Sequence, residues 1–264
     1  MSTQHWVFLR GLIREQRHWE DFPARFQAAF PDAHLHLLDL PGNGTLCDQP
    51  SPLRIEHMVD SARLQLQLRG VHGPVNLLAI SLGGMVAIEW MRRFPRQIER
   101  AVIINSSLRR MGSLTDRLRA ENYPAILRHL LGNRSALGKE ELILGLTSNL
   151  RSDTADIARR WVGYGATHPT RLRNAARQLL AASLYAGPRY RPHDKVLILH
   201  SAQDRLVHPR CSQQMARTWG WPVRVHPTAG HDLPLDDGDW IIGQVRNWLQ
   251  RDTGQSTLLT EGCQ

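Results

Sequence analysis

The stretch NLLAISLGGMVAIEW, residues 76–90, decides the fold of this chain. It begins as an apolar run typical of a buried strand and continues directly into a helical pattern, with Ser81 at the junction. A serine on so tight a strand-to-helix turn has a strained backbone that lifts its hydroxyl above the sheet, which requires small neighbours. Ala79 and Gly83 meet that requirement, and Gly84 lets the helix pack close to the sheet. The stretch therefore predicts a nucleophilic serine.

Short apolar runs alternate with helical patterns on both sides of this stretch. Strands are predicted at residues 5–9, 34–38, 75–80, 101–105, 196–200 and 223–226. Helices are predicted at residues 52–69, 82–93, 209–219 and 238–249, the first of them capped by Ser51. Strands joined by single helices imply right-handed crossovers and a mostly parallel sheet with helices on both faces. The fold class is α/β.

The alternation stops between residues 107 and 193, where helical patterns at 113–131, 138–148, 154–164 and 169–185 follow one another without a strand. We interpret this segment as an all-helical cap inserted into a core made of residues 1–106 and 194–250. The last stretch, residues 251–264, is polar and without periodicity, which predicts a flexible tail.

Composition excludes several classes of protein. With 264 residues, 42% of them apolar, the chain can bury a large core. Its three cysteines, Cys47, Cys211 and Cys263, have no metal-ligand spacing, and an odd number argues against a disulfide framework. No apolar run is long enough to span a bilayer, and a strand pattern begins by residue 5, leaving no room for a signal peptide. We expect a cytoplasmic protein.

The charge is unevenly distributed along the chain. Lys and Arg number 33 against 24 Asp and Glu, a formal net charge of +9. Residues 107–193 contain 15 basic and six acidic residues, so the whole excess lies in the predicted cap. Arginines on solvated helix faces explain such an excess, and so does a positive field that attracts an anionic partner. Both explanations stay open at this point.

Three segments in order resemble the α/β-hydrolase superfamily: the Ser81 turn, VLILHSAQDRLVHP at 196–209, and HPTAGHDLPLDD at 226–237. The resemblance implies a triad of Ser81 as nucleophile, Asp204 as acid and His231 as base, in the superfamily's chain order. The usual signature has glycine where this chain has Ala79, the smallest possible departure. In such a triad the imidazole takes the serine proton, and the carboxylate orients the imidazole.

The resemblance also implies an oxyanion hole. One donor is the backbone N–H of Leu82, directly after the nucleophile. The segment FLRGLIREQRHWEDF at 8–22 is similar to the superfamily's His-Gly loop, in which Gly11 allows the turn and Leu12 supplies the second N–H. This chain has Arg10 where relatives commonly have His. Because the donor is main chain, that exchange affects loop shape and pocket charge more than the hole itself.

Candidate substrate-binding residues surround this loop. Arg10, Arg14 and Arg17 are placed to hold a carboxylate or phosphate, or else to pair with Glu15, Glu20 and Asp21. Gly11, between Arg10 and Leu12, is a candidate substrate-binding residue of the same loop. Trp161 and Tyr164 in the predicted cap line an acyl pocket or serve only in helix packing.

These observations predict a serine hydrolase that cleaves a carboxylic ester or thioester of a small-molecule or acyl-chain substrate through an acyl-enzyme. No metal is expected, because no histidine pair has a ligand signature, and no cofactor is expected. Nucleic acid is not expected either, since the arginines lack aromatic interleaving. The alternative is a non-catalytic or acyl-transfer member of the fold whose basic cap binds an anionic partner, nucleic acid or an acidic membrane surface. The sequence leaves the oligomeric state open.

Overall fold

Six parallel strands form the centre of the molecule. The computed structural model describes residues 4–124 and 135–261, with side chains through residue 251. The strands are β1 (Gln4–Leu9), β2 (Ala33–Leu38), β3 (Val75–Ile80), β4 (Ile98–Ile104), β5 (Val196–Ser201) and β6 (Val223–His226). They are arranged in the order β2-β1-β3-β4-β5-β6, and every neighbouring pair is parallel. The parallel sheet is thus as the alternating sequence pattern predicts.

The helices that cover the sheet are α1 (Phe22–Ala29), α2 (Ile55–Leu68), α3 (Leu82–Arg93), α8 (Arg210–Trp219) and α9 (Leu233–Glu261). Alternate residues of each central strand enter two separate hydrophobic cores, as Leu77 and Leu78 do. The core containing Leu77 lies against α2 and α3, and the core containing Leu78 against α1 and α9. Burial on both faces explains why β3 is apolar at nearly every position.

Four helices lie in the described part of the chain between β4 and β5: α4 (Leu114–Arg117), α5 (Ala136–Thr147), α6 (Thr154–Thr167) and α7 (Leu172–Leu184). No strand occurs among the described residues of 107–193. The helix predicted at 113–131 begins as the short α4 and a 3-10 turn at Ala120–Asn122, and its last seven residues, 125–131, lie outside the described residues. We refer to residues 107–193 as the helical insertion.

The structure corrects three details. Helix α2 begins at Ile55, and Ser51 does not cap it; the Ser51 hydroxyl donates instead to the Pro41 carbonyl at 2.6 Å. Helix α1 was not predicted, although Phe22 and Phe26 are both fully buried there. Helix α9 begins at Leu233, earlier than predicted, with a non-helical residue at Asp237.

The end of the chain is helical as far as Glu261, past residue 251 where the flexible tail is predicted to begin. A helical backbone does not measure mobility, so the flexibility of this segment stays a prediction, and residues 262–264 lie outside the described part. Among the described residues, no helix has both the length and the apolar character needed to cross a membrane.

Candidate active site

The candidate catalytic residues lie at one edge of the sheet. Arg10 follows β1, Ser81 follows β3, Asp204 lies on the loop after β5, and His231 lies on the loop after β6. Because all six strands are parallel, these loops emerge at the carboxyl edge, where open α/β sheets place their sites.

Ser81 occupies the strained turn that the sequence predicts. Its backbone has φ 57° and ψ −118°, a conformation that L-residues rarely adopt. The turn is held on both sides by the end of β4, because Ser81 N–H donates to the Ile104 carbonyl at 2.9 Å and the Ser106 hydroxyl donates to the Ser81 carbonyl at 2.8 Å. These two bonds offset the strain and fix the direction of the Ser81 side chain.

The glycines around Ser81 are required by close contacts. A Cβ on Gly83 would lie 2.3 Å from the Leu9 carbonyl oxygen, and one on Gly84 would lie 2.7 Å from Ser106 Cβ. A Cβ on Gly11 would lie 3.1 Å from Ser81 Cβ. The absence of side chains at these positions lets helix α3 and the loop after β1 close around the nucleophile.

Asp204 and His231 meet in a short hydrogen bond. His231 Nδ1 lies 2.7 Å from Asp204 Oδ2, and both residues are buried. The other carboxylate oxygen, Oδ1, accepts from the N–H groups of Leu206 at 2.8 Å and Val207 at 2.9 Å. The carboxylate is thereby fixed in orientation and in turn orients the imidazole, leaving Nε2 as the nitrogen available for proton transfer.

Ser81 is not hydrogen-bonded to His231 in this structure. Its hydroxyl makes no hydrogen bond to any described residue. Catalytic hydrogen bonds in ligand-free sites are often long and shorten when substrate binds. The structure therefore joins the acid to the histidine, places the serine at the same sheet edge, and leaves the complete triad a prediction.

Asn105 lies next to the candidate site, although its place in the sequence indicates only the end of a strand. It is buried, has φ 44°, and its amide nitrogen donates to the His231 carbonyl at 2.8 Å. Its amide oxygen accepts from Ser201 N–H at 2.9 Å. Asn105 thus ties the histidine loop to the ends of β4 and β5. The available signal was an asparagine directly after a buried apolar strand.

The two predicted oxyanion donors are unused. Neither Leu12 N–H nor Leu82 N–H donates to a described residue. The next residue, Ile13, has φ 54°, which is rare for a β-branched side chain, and its N–H donates to Gln178 Oε1 of α7 at 2.9 Å. Gln178 is fully buried. A side chain of the helical insertion therefore holds the loop that carries Leu12, a contact that sequence analysis did not find.

Each of the three arginines in this loop is paired with a carboxylate. Arg10 binds Asp232 through two hydrogen bonds, Arg14 binds Glu140 of α5 at 2.9 Å, and Arg17 binds Glu15 at 2.5 Å. Of the three partners that the sequence offers, Glu15, Glu20 and Asp21, these arginines pair only with Glu15. A substrate-binding role for Arg10 or Arg17 stays a prediction.

A cavity of about 400 Å³ lies between this loop and the helical insertion. Trp161 and Tyr164 of α6 line it together with Ile13, Arg14 and His18. The Arg14 guanidinium lies 4.2 Å from the Trp161 ring centroid and that of Arg17 lies 4.6 Å from the Tyr164 ring. Glu20 accepts from Trp161 Nε1 at 2.7 Å, so the two aromatic residues both border the cavity and fasten the insertion to the core.

Burial lowers the pKa of two basic groups that line the cavity. Desolvation lowers the pKa of His18 well below its ordinary value, and the positive charges of Arg14 and Arg10 lower it further. Desolvation also lowers the pKa of Arg14, an effect that Glu140 opposes. The imidazole of His18 is therefore neutral at physiological pH, and the positive charge next to it is that of Arg14, which is paired with Glu140.

Metal and thiol chemistry were considered for the described part of the chain. No group of three or more His, Cys, Asp or Glu side chains suited to a metal occurs among the described residues. Burial raises the pKa of the Cys211 thiol to about 12, which makes it a poor nucleophile.

Comparison with known proteins defines the class. Residues 6–244 match the model of the alpha/beta hydrolase family, and the chain belongs to that family. A stretch of 103 residues is 33% identical to the biotin biosynthesis bifunctional protein BioHC of Teredinibacter turnerae; it covers 37% of this chain and only 16% of that longer protein.

Solved structures agree with this fold at low identity. An esterase from Rhodococcus superposes with a TM-score of 0.76 at 18% identity, covering 94% of this chain and 90% of that one. An esterase from Thermogutta terrifontis has a TM-score of 0.70 at 16% identity, covering 94% and 90%. An enol-lactonase from Burkholderia xenovorans has a TM-score of 0.73 at 14% identity, covering 95% and 92%. Family membership and this fold support a hydrolase.

Proposed function

We propose that this protein is a serine hydrolase that cleaves a carboxylic ester or thioester, with Ser81, His231 and Asp204 as its triad. The observation that carries the proposal is the strained Ser81 turn on the same sheet edge as the His231–Asp204 hydrogen bond of 2.7 Å. An isolated histidine–aspartate pair has many structural roles, whereas a strained serine beside it indicates nucleophilic catalysis.

The proposed reaction has two halves. Ser81 Oγ attacks the carbonyl carbon while His231 Nε2 takes its proton, and the new oxyanion accepts hydrogen bonds from the N–H groups of Leu12 and Leu82. When the tetrahedral intermediate collapses, the bond to the alcohol or thiol breaks and the imidazolium returns the proton to that leaving group. Water then attacks the acyl-enzyme by the same proton transfer, releasing the acid and restoring Ser81. No metal or cofactor takes part in this scheme.

The helical insertion is proposed to act as a cap that selects the substrate. The cavity of about 400 Å³ lies where the insertion meets the loop that carries Leu12. Its walls combine apolar side chains and aromatic rings, including Trp161 and Tyr164, with four charged residues, Arg14, Glu15, Lys139 and Glu140. Ser81, Leu12 and His231 do not line it, so it lies beside the proposed catalytic residues rather than around them. Because Ile13 of its lining directly follows Leu12, such a cavity suits the part of a small-molecule ester that lies away from the reacting carbonyl.

A fluorophosphonate probe tests the proposal, because it reacts covalently with an activated serine. We expect the wild type to be labelled on the peptide containing Ser81 and Ser81→Ala not to be labelled. Ser61→Ala, which removes a hydroxyl from helix α2, is the matched control and should label normally. A panel of p-nitrophenyl esters with graded acyl chains should then be hydrolysed by the wild type only, and would define the acyl length that the cavity accepts.

The result that would overturn the proposal is a folded wild-type protein that the probe does not label and that hydrolyses none of the esters. Salt-dependent binding of nucleic acid or of anionic vesicles by such a protein would favour the alternative of a binding protein with a basic cap. Labelling of Ser81 together with acyl transfer faster than hydrolysis would instead identify an acyltransferase that uses the same triad.

A further inference from the structure

Arg10 and Asp232 join two loops that are far apart in the sequence. Arg10 directly precedes Gly11 and Leu12, and Asp232 directly follows His231. Arg10 Nη1 donates to Asp232 Oδ1 at 3.0 Å and Nη2 donates to Oδ2 at 2.6 Å, across 222 residues of chain. Only 3% of Arg10 and 4% of Asp232 is exposed. A bidentate, buried pair of this kind fixes orientation as well as distance.

Each partner is also held by a second contact. The Arg10 guanidinium lies 4.8 Å from the centroid of the buried Trp19 ring. The backbone N–H of Asp232 donates to the Thr147 carbonyl, at the end of helix α5, at 2.7 Å. The ion pair therefore connects two loops that are each anchored to the rest of the molecule, and its geometry sets their separation.

We propose that Arg10 and Asp232 are positioning residues whose ion pair sets the distance between the Leu12 N–H and the His231 imidazole. This inference rests on the proposed function. An ester carbonyl must meet the oxyanion donor and the proton acceptor at the same moment, so an error in their separation reduces the rate. Two parallel hydrogen bonds to a carboxylate require a guanidinium, which an imidazole or ammonium group cannot replace.

The pair also balances charge beside the imidazole. Other charged groups near His231 come from several elements. Asp204 is hydrogen-bonded to the imidazole itself, and Asp236 accepts from the N–H of the preceding residue, Gly230, at 2.6 Å. Arg119 donates to the Asp204 carbonyl at 3.1 Å. Arg205 on the loop after β5 lies in the same region and donates to Ser148. Arg14, paired with Glu140, also faces this pair, since the charges of Arg10 and Asp232 both act on it. Arg10 and Asp232 cancel as a pair, so removing one of them leaves a single uncompensated charge at or next to residue 232, which adjoins His231 in the chain.

The charge balance gives a readout that a purely structural role would not produce. In Arg10→Gln the unpaired Asp232 carboxylate favours imidazolium, so the acid limb of the kcat/KM profile should move to higher pH by about half a unit. In Asp232→Asn the unpaired guanidinium should move the limb to lower pH by a similar amount. The double variant Arg10→Gln/Asp232→Asn should return the limb to its wild-type position.

The experiment measures kcat, KM, the pH profile from 5 to 9 and Tm with a p-nitrophenyl ester that the wild type hydrolyses. We expect each single variant to lose about tenfold or more in kcat with a small change in KM. Arg10→Lys keeps the charge but not the forked geometry, so it should lose kcat without moving the acid limb. Arg92→Gln is the matched control: it breaks the ion pair with the buried Glu89 on helix α3, and should lower Tm without moving the limb.

If both single variants keep the wild-type kcat and an unmoved acid limb, the inference is overturned. The proposed function is unaffected by that result as long as the wild type is labelled at Ser81. Loss of activity only in proportion to the unfolded fraction would overturn it as well. If a single variant fails to fold, the test uses Arg10→Lys and the double variant, in which the two amides can hydrogen-bond to each other. The inference requires that both show a lowered kcat with an unmoved acid limb. A wild-type protein that neither labels nor hydrolyses would overturn the proposed function itself, and the inference with it.

Discussion

At the scale of single residues, His18 shows how the buried arginines of this site affect stability. His18 is 5% exposed, and its imidazole contacts Arg14, with His18 Nε2 3.2 Å from Arg14 Nη1. Burial, and after it the charge of Arg14, lowers its pKa well below the usual 6.5. Protonation in the folded state would place a positive charge among cations in a desolvated position, so the folded protein keeps this imidazole neutral.

Because the pKa of His18 is lower in the folded protein, folding stability falls at acid pH. The unfolded chain binds a proton at His18 near pH 6.5 and the folded chain does not, so the stability associated with this residue is complete above about pH 6.5 and falls as the pH drops below it. His18→Gln should therefore flatten the fall in Tm between pH 6.5 and 5. Calorimetry across that range, with the exposed His57→Gln as the control, checks this. Parallel Tm curves for wild type and His18→Gln would show that another group causes the acid sensitivity.

At the scale of elements, helix α7 reaches the loop that carries Leu12 through Gln178. Besides accepting from Ile13 N–H at 2.9 Å, its side-chain amide donates to Asn43 Oδ1 and to Ser51 Oγ, each at 3.0 Å. Ile13 has a positive φ that only such external contacts maintain. The helical insertion thus contributes to the geometry of the proposed oxyanion hole as well as covering the cavity.

Replacing Gln178 should reduce catalysis more than substrate binding. Gln178→Met keeps the volume but removes the acceptor of Ile13 N–H, so the loop can relax and Leu12 N–H moves; we expect kcat to fall about tenfold with a small change in KM. Asn174→Ala, one turn earlier on α7, is the control: it removes a buried amide that accepts from Ser51 N–H at 3.0 Å and makes no hydrogen bond to the loop that carries Leu12. Equal losses of kcat in both variants would indicate general destabilisation of α7 rather than a specific effect on the loop.

The elements differ in how far local sequence predicts them. Strand β3 and helix α3 were predicted with their correct bounds because an unbroken apolar run and a helical stripe adjoin at Ser81, where the turn requires small residues. Helix α1 was missed because its sequence, FPARFQAA, lies beside the loop motif and is too short for a clear period. Ser51 was assigned a capping role that its bond to Pro41 excludes, since the competing acceptor lies ten residues earlier in the chain.

The site residues divide in the same way. The strained turn at Ser81 and the pairing of Asp204 with His231 follow from ordered motifs on strand ends. Arg10 with Asp232, and Ile13 with Gln178, are contacts of single residues separated by 222 and 165 positions. Such contacts leave no periodic signal in the sequence, because each depends on where two loops meet in the folded molecule.

At the scale of the whole molecule, the helical insertion is fastened directly to the histidine loop. Asp236 accepts from Asn149 N–H at 2.9 Å and from Gly230 N–H at 2.6 Å, joining the end of α5 to the residue before His231. A Cβ on Gly230 would lie 2.5 Å from the Thr147 carbonyl oxygen, so the two backbones are in direct contact. Any movement of α5 away from the core must therefore disturb the loop that carries the proposed base.

The insertion also carries the excess positive charge, and two neighbouring arginines of α6 test whether that field selects substrates. Arg159 is exposed and pairs with Asp156 on its own helix, whereas Arg160 pairs with Glu20 of the core at 2.9 Å. A long-range field depends on net charge, so both Arg159→Gln and Arg160→Gln should lower kcat/KM for an anionic ester relative to a neutral ester of equal length, by about two- to threefold at low salt. The difference should vanish as salt rises, since exposed charges are screened within about 3 Å at 1 M.

The control for this comparison is Arg246→Gln, which makes the same change of charge on helix α9 of the core, where Arg246 packs over Phe30. It should leave the ratio of the two kcat/KM values unchanged if the charge of the insertion is what matters. If the ratio of kcat/KM for the anionic ester to that for the neutral ester stays constant in Arg159→Gln, an electrostatic role of Arg159 is excluded. A change confined to Arg160→Gln and insensitive to salt would locate the effect in the Glu20 contact, because Glu20 also binds Trp161 at the wall of the cavity.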